Sequence, residues 1–466
     1  ANGIKAYIFP SLRPTPMLSF ALRELGCTAG IVVTASHNPP EYNGYKVYWE
    51  DGAQITYPKD EQIIGEVNAV TDYASVKTME REEAEQAGLY RVIGPEIDDK
   101  YIGALKSLVI HPEIIRAEAQ NLKIVYTPLH GTGNIPVRRI LKELGFEKVY
   151  VVKEQELPDG DFPTVAYPNP EDKNAFRLAL DLAKEVDADI VLATDPDADR
   201  LGVYAKDMKT GEYMSFTGNM SGMLILEYIL SQRKALGTLP ENGAVVTTIV
   251  SGKMAKRMAK EYDMTLIETL TGFKYIGEQI KFFEQNGSYE YVFGYEESYG
   301  CLVGTHARDK DAVVAVMALC EVAAYCSHQG ITLCDQMEEL FEKYGYYREE
   351  LCTVTLKGQE GAKKIQSMME QIRMNVPKTV GGLKVMKFRD YREDMVKDCV
   401  TGETASTGLP KSNVLYFELE DDAWCCIRPS GTEPKIKFYI GIKGRNNEDA
   451  VEKLESLTKA VEALAG

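Results

Sequence analysis

Residues 34–46, Thr34-Ala35-Ser36-His37-Asn38-Pro39-Pro40-Glu41-Tyr42-Asn43-Gly44-Tyr45-Lys46, decide how this chain is to be read. The apolar run ahead of them, Ala29-Gly30-Ile31-Val32-Val33, is short, β-branched and followed at once by turn-forming residues, so it predicts a buried strand. Ser36 then stands just past a strand end. Loops in that place carry reacting groups in α/β folds, because the sheet fixes them while the loop backbone stays reachable. Pro39 and Pro40 stiffen the exit. A plain surface turn would use the same residues, so the rest of the chain has to decide.

Strand-like runs alternate with helix-length stretches on both sides of this loop. Ala6–Phe9, a helix from Met17 to Leu25 and the strand before Ser36 have the rhythm of βαβ units. Residues 59–86 and 98–118 read as helical. A second unit opens near Leu122: a strand at Lys123–Tyr126, a small-residue loop, a helix through Leu141, a strand at Val149–Val152, a helix over 174–185 and a buried strand at Asp189–Ala193. A third opens near Gly218, with a helix from Met220 to Leu230 and strands at Ala244–Thr248 and Tyr291–Phe293. From about Tyr346 the strands shorten and the buried parallel runs thin out. The expected class is α/β, with three related mixed α/β domains in series (1–120, 121–218 and 219–345) followed by a smaller C-terminal α+β domain (346–466).

Composition narrows the function. The 466 residues hold 53 Lys and Arg against 70 Asp and Glu, a net charge of -17, which argues against nucleic-acid binding through a basic surface. An anionic substrate would need a locally basic pocket. Nine scattered cysteines without a C-x-x-C pair suggest neither a zinc site nor a disulfide framework, and fit a reducing cytoplasm. No run approaches about 18 apolar residues, so neither a membrane span nor a membrane partner is indicated.

Three further loops carry chemistry. Asp195-Pro196-Asp197-Ala198-Asp199-Arg200 follows the strand Asp189–Ala193 and sets three carboxylates at alternate positions, which call for a hard divalent cation such as Mg²⁺. An EF-hand would need Gly and Glu where Arg200 and Lys206 stand. Glu296-Glu297-Ser298 follows another strand and suits sugar hydroxyls, and His306, Arg308 and Lys310 beyond it offer basic groups to a phosphate. Arg428-Pro429-Ser430-Gly431-Thr432-Glu433-Pro434-Lys435 has the makings of a phosphate cradle, although it is no Walker loop. A serine hydrolase is disfavoured: Ser36 lacks the G-x-S-x-G elbow, and His37, as its immediate neighbour, is expected to point away from it.

Together the four loops resemble the signature set of the α-D-phosphohexomutase family, in the family's order and over the whole chain. The resemblance implies a phosphoserine at Ser36, Mg²⁺ held by Ser36, Asp195, Asp197 and Asp199, and Arg200 offsetting charge in the transfer. Glu296 and Ser298 would read the sugar, and Arg428, Ser430, Gly431, Thr432 and Lys435 would hold the distal phosphate. Lys46 matches a family lysine proposed for proton transfer, and Arg308 and Lys310 match basic positions near the reacting phosphate. The Glu-Glu-Ser form of the sugar loop is similar to the phosphoglucomutase branch. That implies an isomerase interconverting glucose 1-phosphate and glucose 6-phosphate through glucose 1,6-bisphosphate, acting as a monomer or weak homo-oligomer on small sugar phosphates, with no nucleic-acid or membrane partner. Phosphopentomutase or phosphomannomutase activity, a kinase or phosphatase, and a noncatalytic sugar-phosphate sensor are the alternatives. Relatives normally begin with a further segment carrying a G-T-x-G-x-R-G motif, so the first domain is expected to be truncated at its N-terminus.

Overall fold

The computed structural model describes residues 1–356, 358–430 and 435–463. It divides into two compact units, one formed by Ala1–Thr247, Tyr262–Ile267 and Gly272–Gln336, the other by Thr248–Glu261, Glu268–Thr271 and Met337–Gly466.

Chiefly within the first unit, the expected strand–helix alternation builds two larger sheets. In one, Val149–Val151, Ile124–Thr127 and Ile190–Thr194 lie side by side in parallel, and Leu201–Lys206 and Tyr213–Phe216 continue the sheet antiparallel. Ile124–Thr127 and Ile190–Thr194 are buried throughout, as central parallel strands covered on both faces must be. The other sheet runs Thr265–Thr269, Gly243–Thr248, Glu290–Glu296, Gly300–Val303, its last pair an antiparallel hairpin. The two antiparallel additions after residue 200 and the hairpin after Glu296 were not foreseen. Each turns the chain back immediately after a loop rich in carboxylates.

The serine end of the unit departs from the sequence reading. Ala6–Ile8 pairs in parallel with Tyr90–Val92, while Ala29–Val33 pairs antiparallel with Tyr45–Trp49, so the first βαβ rhythm is not realised as one sheet. Nor is Ala29–Val33 buried: Ile31 is 62% and Val33 75% exposed. Strand alternation explains this. Gly30 faces the helix Thr15–Glu24 so closely that a Cβ there would lie 2.9 Å from Leu22 Cδ1, and the residues on either side face outward.

Residues 59–86 form two helices, Lys59–Ala69 and Arg81–Gln86, with a short 3₁₀ turn between them, and residues 98–118 divide between Pro95–Lys106 and Pro112–Glu118. The helix Ala312–Gln329 is long and apolar enough by length and composition to cross a membrane, although Glu321, Ser327, His328 and Gln329 interrupt its apolar residues. Its all-round hydrophobicity has a simpler cause: 78% of it is buried inside the unit.

In the second unit a long antiparallel sheet runs Tyr346–Thr355, Lys435–Gly444, Trp424–Pro429, Leu415–Leu419, Leu383–Asp390, Met395–Asp398, Thr404–Ala405. Helices Gly358–Met374 and Asn447–Glu462 contribute Ile365, Met369, Leu457 and Val461 to a core with Phe388, Phe417 and Phe438 of the sheet.

Candidate active site

The strand Ile190–Thr194 delivers Asp195 from the middle of its sheet. Its end is held by a hydrogen bond between Tyr126 Oη and Thr194 Oγ1 (2.8 Å), and a Cβ on Gly133 would stand 2.6 Å from each of these oxygens, so only glycine fits there. The acid loop then folds around Asp195. Its Oδ1 accepts the backbone N–H groups of Asp199 and Arg200, both at 3.0 Å, while Ala198 takes a left-handed φ of 51°. The chain thus doubles back tightly enough to bring one oxygen from each of Asp195, Asp197 and Asp199 within 4.8 Å of the others, all three residues buried.

More distant elements lock the loop from outside. Thr15, opening the helix Thr15–Glu24, donates its N–H to the Asp197 carbonyl and its hydroxyl to Asp197 Oδ2, both at 2.9 Å. Leu201 N–H bonds the Tyr299 carbonyl (2.9 Å), and Ala312 N–H bonds the Ala198 carbonyl (3.1 Å).

Ser36 meets this loop. Its Oγ lies 3.2 Å from Asp195 Oδ2, and its φ of 54° is a left-handed conformation that costs a residue with a Cβ about 1–2 kcal/mol. That conformation also overturns the expectation for His37, whose Nδ1 lies 3.2 Å from Ser36 Oγ. A hydrolase still does not follow. Burial, helped by the Arg200 charge, pulls the His37 imidazole down to about 3, and so weak a base is poorly suited to take a serine proton.

Two lysines answer the acids. On the strand Tyr45–Trp49, Lys46 reaches Asp197 Oδ2 and Asp199 Oδ2, both at 2.9 Å. Burial by itself would lower its ammonium, but Asp199 and Asp197 outweigh burial and hold it well above its ordinary value. Lys310 pairs with Asp199 Oδ2 at 3.0 Å and lies 3.9 Å from Glu296 Oε1. Burial opposes the Asp199 charge, yet Lys310, Lys46 and Arg200 keep that carboxyl below the usual range. Asp195 goes the other way, pushed up by burial and by the neighbouring Asp199 and Asp197. Glu296 is also raised, by burial above all, with Ser298 hydrogen-bonded to it.

Arg200 turns partly outward: its Nη1 pairs with Glu171 at 2.5 Å and its Nε stands 3.9 Å from Asp199. Arg308 is placed differently from the expectation. It is 1% exposed, its guanidinium bonds the Thr305 and Ala307 carbonyls and Glu284, and it braces its own loop instead of joining the acids. His306 is likewise occupied, its Nε2 lying 2.8 Å from Asp311.

In the second unit, Arg428 is the penultimate residue of the strand Trp424–Pro429, opposite Lys437, and Ser430 N–H bonds the Lys435 carbonyl (2.8 Å), so the flanks of the expected cradle are drawn together. Gly431 and Thr432 lie outside the described residues. Thr15, Tyr48, Glu171 and Asp309 escaped the sequence reading; the first three reach the site through contacts across the fold, while Asp309 adjoins Lys310.

The acid cluster fits a divalent cation. Asp197 Oδ1 and Asp199 Oδ1 are buried without a hydrogen-bond partner among the described residues, which is costly for a carboxylate unless a cation satisfies it.

Comparison with known proteins agrees. The chain matches the family models for phosphoglucomutase/phosphomannomutase alpha/beta/alpha domain I over residues 1–74, domain II over 99–210 and domain III over 217–344. It is 35% identical over 455 residues to a protein named phosphoglucomutase from Staphylococcus saprophyticus, covering 98% of this chain and 81% of that one. A phosphoglucomutase from Staphylococcus epidermidis is 38% identical over 447 residues, covering 95% and 78%. The crystal structure of pp63/parafusin, a phosphoglucomutase from Paramecium in its open form, shares the fold at a TM-score of 0.70 and 18% identity, covering 99% of this chain and 82% of that one. With relatives so similar over nearly its whole length, the chain belongs to the phosphoglucomutase/phosphomannomutase family, the α-D-phosphohexomutases.

Proposed function

We propose that the chain is a phosphoglucomutase that interconverts glucose 1-phosphate and glucose 6-phosphate through a phosphoserine at Ser36. The observation that carries the reading is Ser36 Oγ, 3.2 Å from Asp195 among three buried aspartates, the buried Lys310 and the half-buried Lys46. The relatives named phosphoglucomutase support glucose as the sugar.

In the transfer, the Oγ–P bond of phosphoserine breaks as a sugar hydroxyl oxygen bonds the phosphorus. The hydroxyl loses its proton and Ser36 regains one. Because Asp197 and Asp199 keep Lys46 an ammonium, it gives a proton to the released serine oxygen and recovers the one lost by the sugar. Lys310 and Arg200 offset the charge that spreads over the moving phosphoryl oxygens. Glu296 and Ser298 hold ring hydroxyls. Arg428, Ser430 and Lys435 bind the phosphate not in transfer, and the glucose 1,6-bisphosphate so formed must turn over before the second transfer. Asp195, Asp197 and Asp199 would hold Mg²⁺, which as a Lewis acid would neutralise phosphoryl charge. Nine unbridged cysteines support a reducing compartment such as the cytoplasm.

The test is turnover on glucose, mannose, glucosamine and pentose 1-phosphates, with intact mass and phosphopeptide mapping of the resting enzyme. Glucose 1-phosphate should be the best substrate and the phosphoryl group should map to Ser36. Full turnover by Ser36→Ala, or a phosphoryl group elsewhere, would refute the assignment.

A further inference from the structure

We infer that Tyr48 and Asp309 are positioning residues that aim the Lys310 ammonium at the transferring phosphoryl group, an inference that rests on the mutase reading above. Tyr48 is 0%, Asp309 3% and Lys310 9% exposed, and nothing in the transfer as described needs the first two. Tyr48 stands two positions after Lys46 on the strand Tyr45–Trp49, and strand alternation sends both side chains to one face.

The contacts form a chain. Tyr48 Oη donates to Asp309 Oδ2 at 2.5 Å. Asp309 Oδ1 accepts the backbone N–H of Lys310 at 2.8 Å and stands 3.7 Å from its ammonium. With one oxygen held by the tyrosine and the other by the lysine's own backbone, the carboxylate cannot rotate. It therefore faces the ammonium in a fixed direction.

Lys310 makes its close ion pair with Asp199 at 3.0 Å, whereas Asp309 and Glu296 stand at 3.7 and 3.9 Å, beyond hydrogen-bond distance. The ammonium is held by charge from three sides and keeps N–H donors for an incoming oxyanion. Gly300 walls in the lysine stem: a Cβ there would lie 2.2 Å from Lys310 Cδ. The surrounding loop is fastened too, because Arg308 N–H bonds Ser19 Oγ at 2.9 Å and Tyr101 Oη bonds Asp311 at 2.8 Å. A tyrosine that merely filled the core would not need its hydroxyl on the carboxylate that precedes the lysine.

The experiment is a double-mutant cycle on the full chain, with Tyr48→Phe and Asp309→Asn made in the wild-type and the Lys310→Met backgrounds. In the wild-type background each should lower kcat by about 10- to 100-fold, the scale of a misplacement of about 1 Å, with KM changed by less than about threefold. In Lys310→Met neither should cost more than about threefold further. Equal losses in the two backgrounds, or wild-type kcat in Tyr48→Phe, would overturn the inference. A second reading needs no turnover: acetic anhydride labelling of Lys310, mapped by peptide mass against Lys206 as internal reference, should rise severalfold in Tyr48→Phe, and unchanged labelling would also overturn it. If the wild type turns over no sugar phosphate while labelling rises as stated, the mutase reading falls and the positioning of Lys310 stands.

Discussion

Gly300→Ala should disable the enzyme while leaving it folded. Gly300 opens the strand Gly300–Val303 and has no left-handed φ, so its backbone accepts alanine without strain. The trouble lies in front of it, where the added Cβ would stand 2.2 Å from Lys310 Cδ and 3.1 Å from both Lys310 Cβ and Glu296 Oε1. Carbon atoms rest about 3.5–4.0 Å apart, so the lysine stem must withdraw by roughly 1.3–1.8 Å. Its head is tied to Asp199 at 3.0 Å and its backbone to Asp309 at 2.8 Å, so the stem cannot move without dragging the ammonium. A displacement of about 1 Å at a reacting group costs on the order of 100-fold, and kcat should fall by that much. Reduced unfolded-state freedom returns about 0.4–1 kcal/mol against an overpacking strain of about 1–3 kcal/mol, a net cost of at most about 2.6 kcal/mol, so the melting temperature should fall by several degrees at most and the protein stay folded. The assay is glucose 1-phosphate turnover beside a thermal melt. Wild-type kcat would show that Lys310 either has slack or does not matter; a collapsed melt would show that Gly300 serves the core.

Other expectations follow from single contacts. Glu321, buried, accepts Ile110 N–H, His111 N–H and the Tyr228 hydroxyl, all on Oε1, and burial raises its carboxyl above the ordinary value. Since the unfolded state loses that proton first, the group's stability contribution is full below about pH 4.3 and declines as pH rises through the folded value; Glu321→Gln, which keeps Oε1, should gain melting temperature relative to wild type between pH 4 and 8. EDTA should abolish turnover, and Mg²⁺ at about 100 times its Kd should stabilise the wild type by about 2.7 kcal/mol in thermal melts but not Asp197→Asn. In the second unit Arg373 Nε bonds Asp390 Oδ2 at 2.9 Å with both side chains nearly buried, so Arg373→Met should cost about 3–5 kcal/mol by leaving that carboxylate with only the Arg392 N–H on its other oxygen and no countercharge from Arg373, measurable as a lowered melt.

Much of this molecule was legible because its candidate site residues sit in short runs at strand ends. The structure brings together Asp195, Asp197 and Asp199, which alternate behind one apolar strand, and Ser36, which stands in a turn behind another. What escaped was of two kinds. The exposure of Ile31 and Val33 could not be read, because a β-branched run looks the same whether one face or both are covered. Contacts across the fold were invisible as well: Thr15 meets Asp197 over 182 positions and Tyr48 meets Asp309 over 261. Arg308 was misplaced for a related reason. Basic residues two apart in an irregular loop can face opposite ways, and nothing in His306–Asp311 says which one does.

The backbone bonds that fasten the acid loop bear on how such chains recombine. Thr15 N–H, Leu201 N–H and Ala312 N–H each close a bond on a carbonyl far away in the chain or in a different loop, and main-chain atoms are the same in every relative. A chimera that exchanges the first hundred or so residues with those of a homologue would inherit these fastenings whatever its side chains. The Tyr48–Asp309 bond is different, since it needs a matched donor and acceptor contributed from either side of the crossover. Shuffled libraries should therefore yield many folded hybrids and fewer active ones, sorted by whether side-chain pairs that cross the boundary, Tyr48–Asp309, Thr15–Asp197 and Lys46–Asp199 among them, arrive intact.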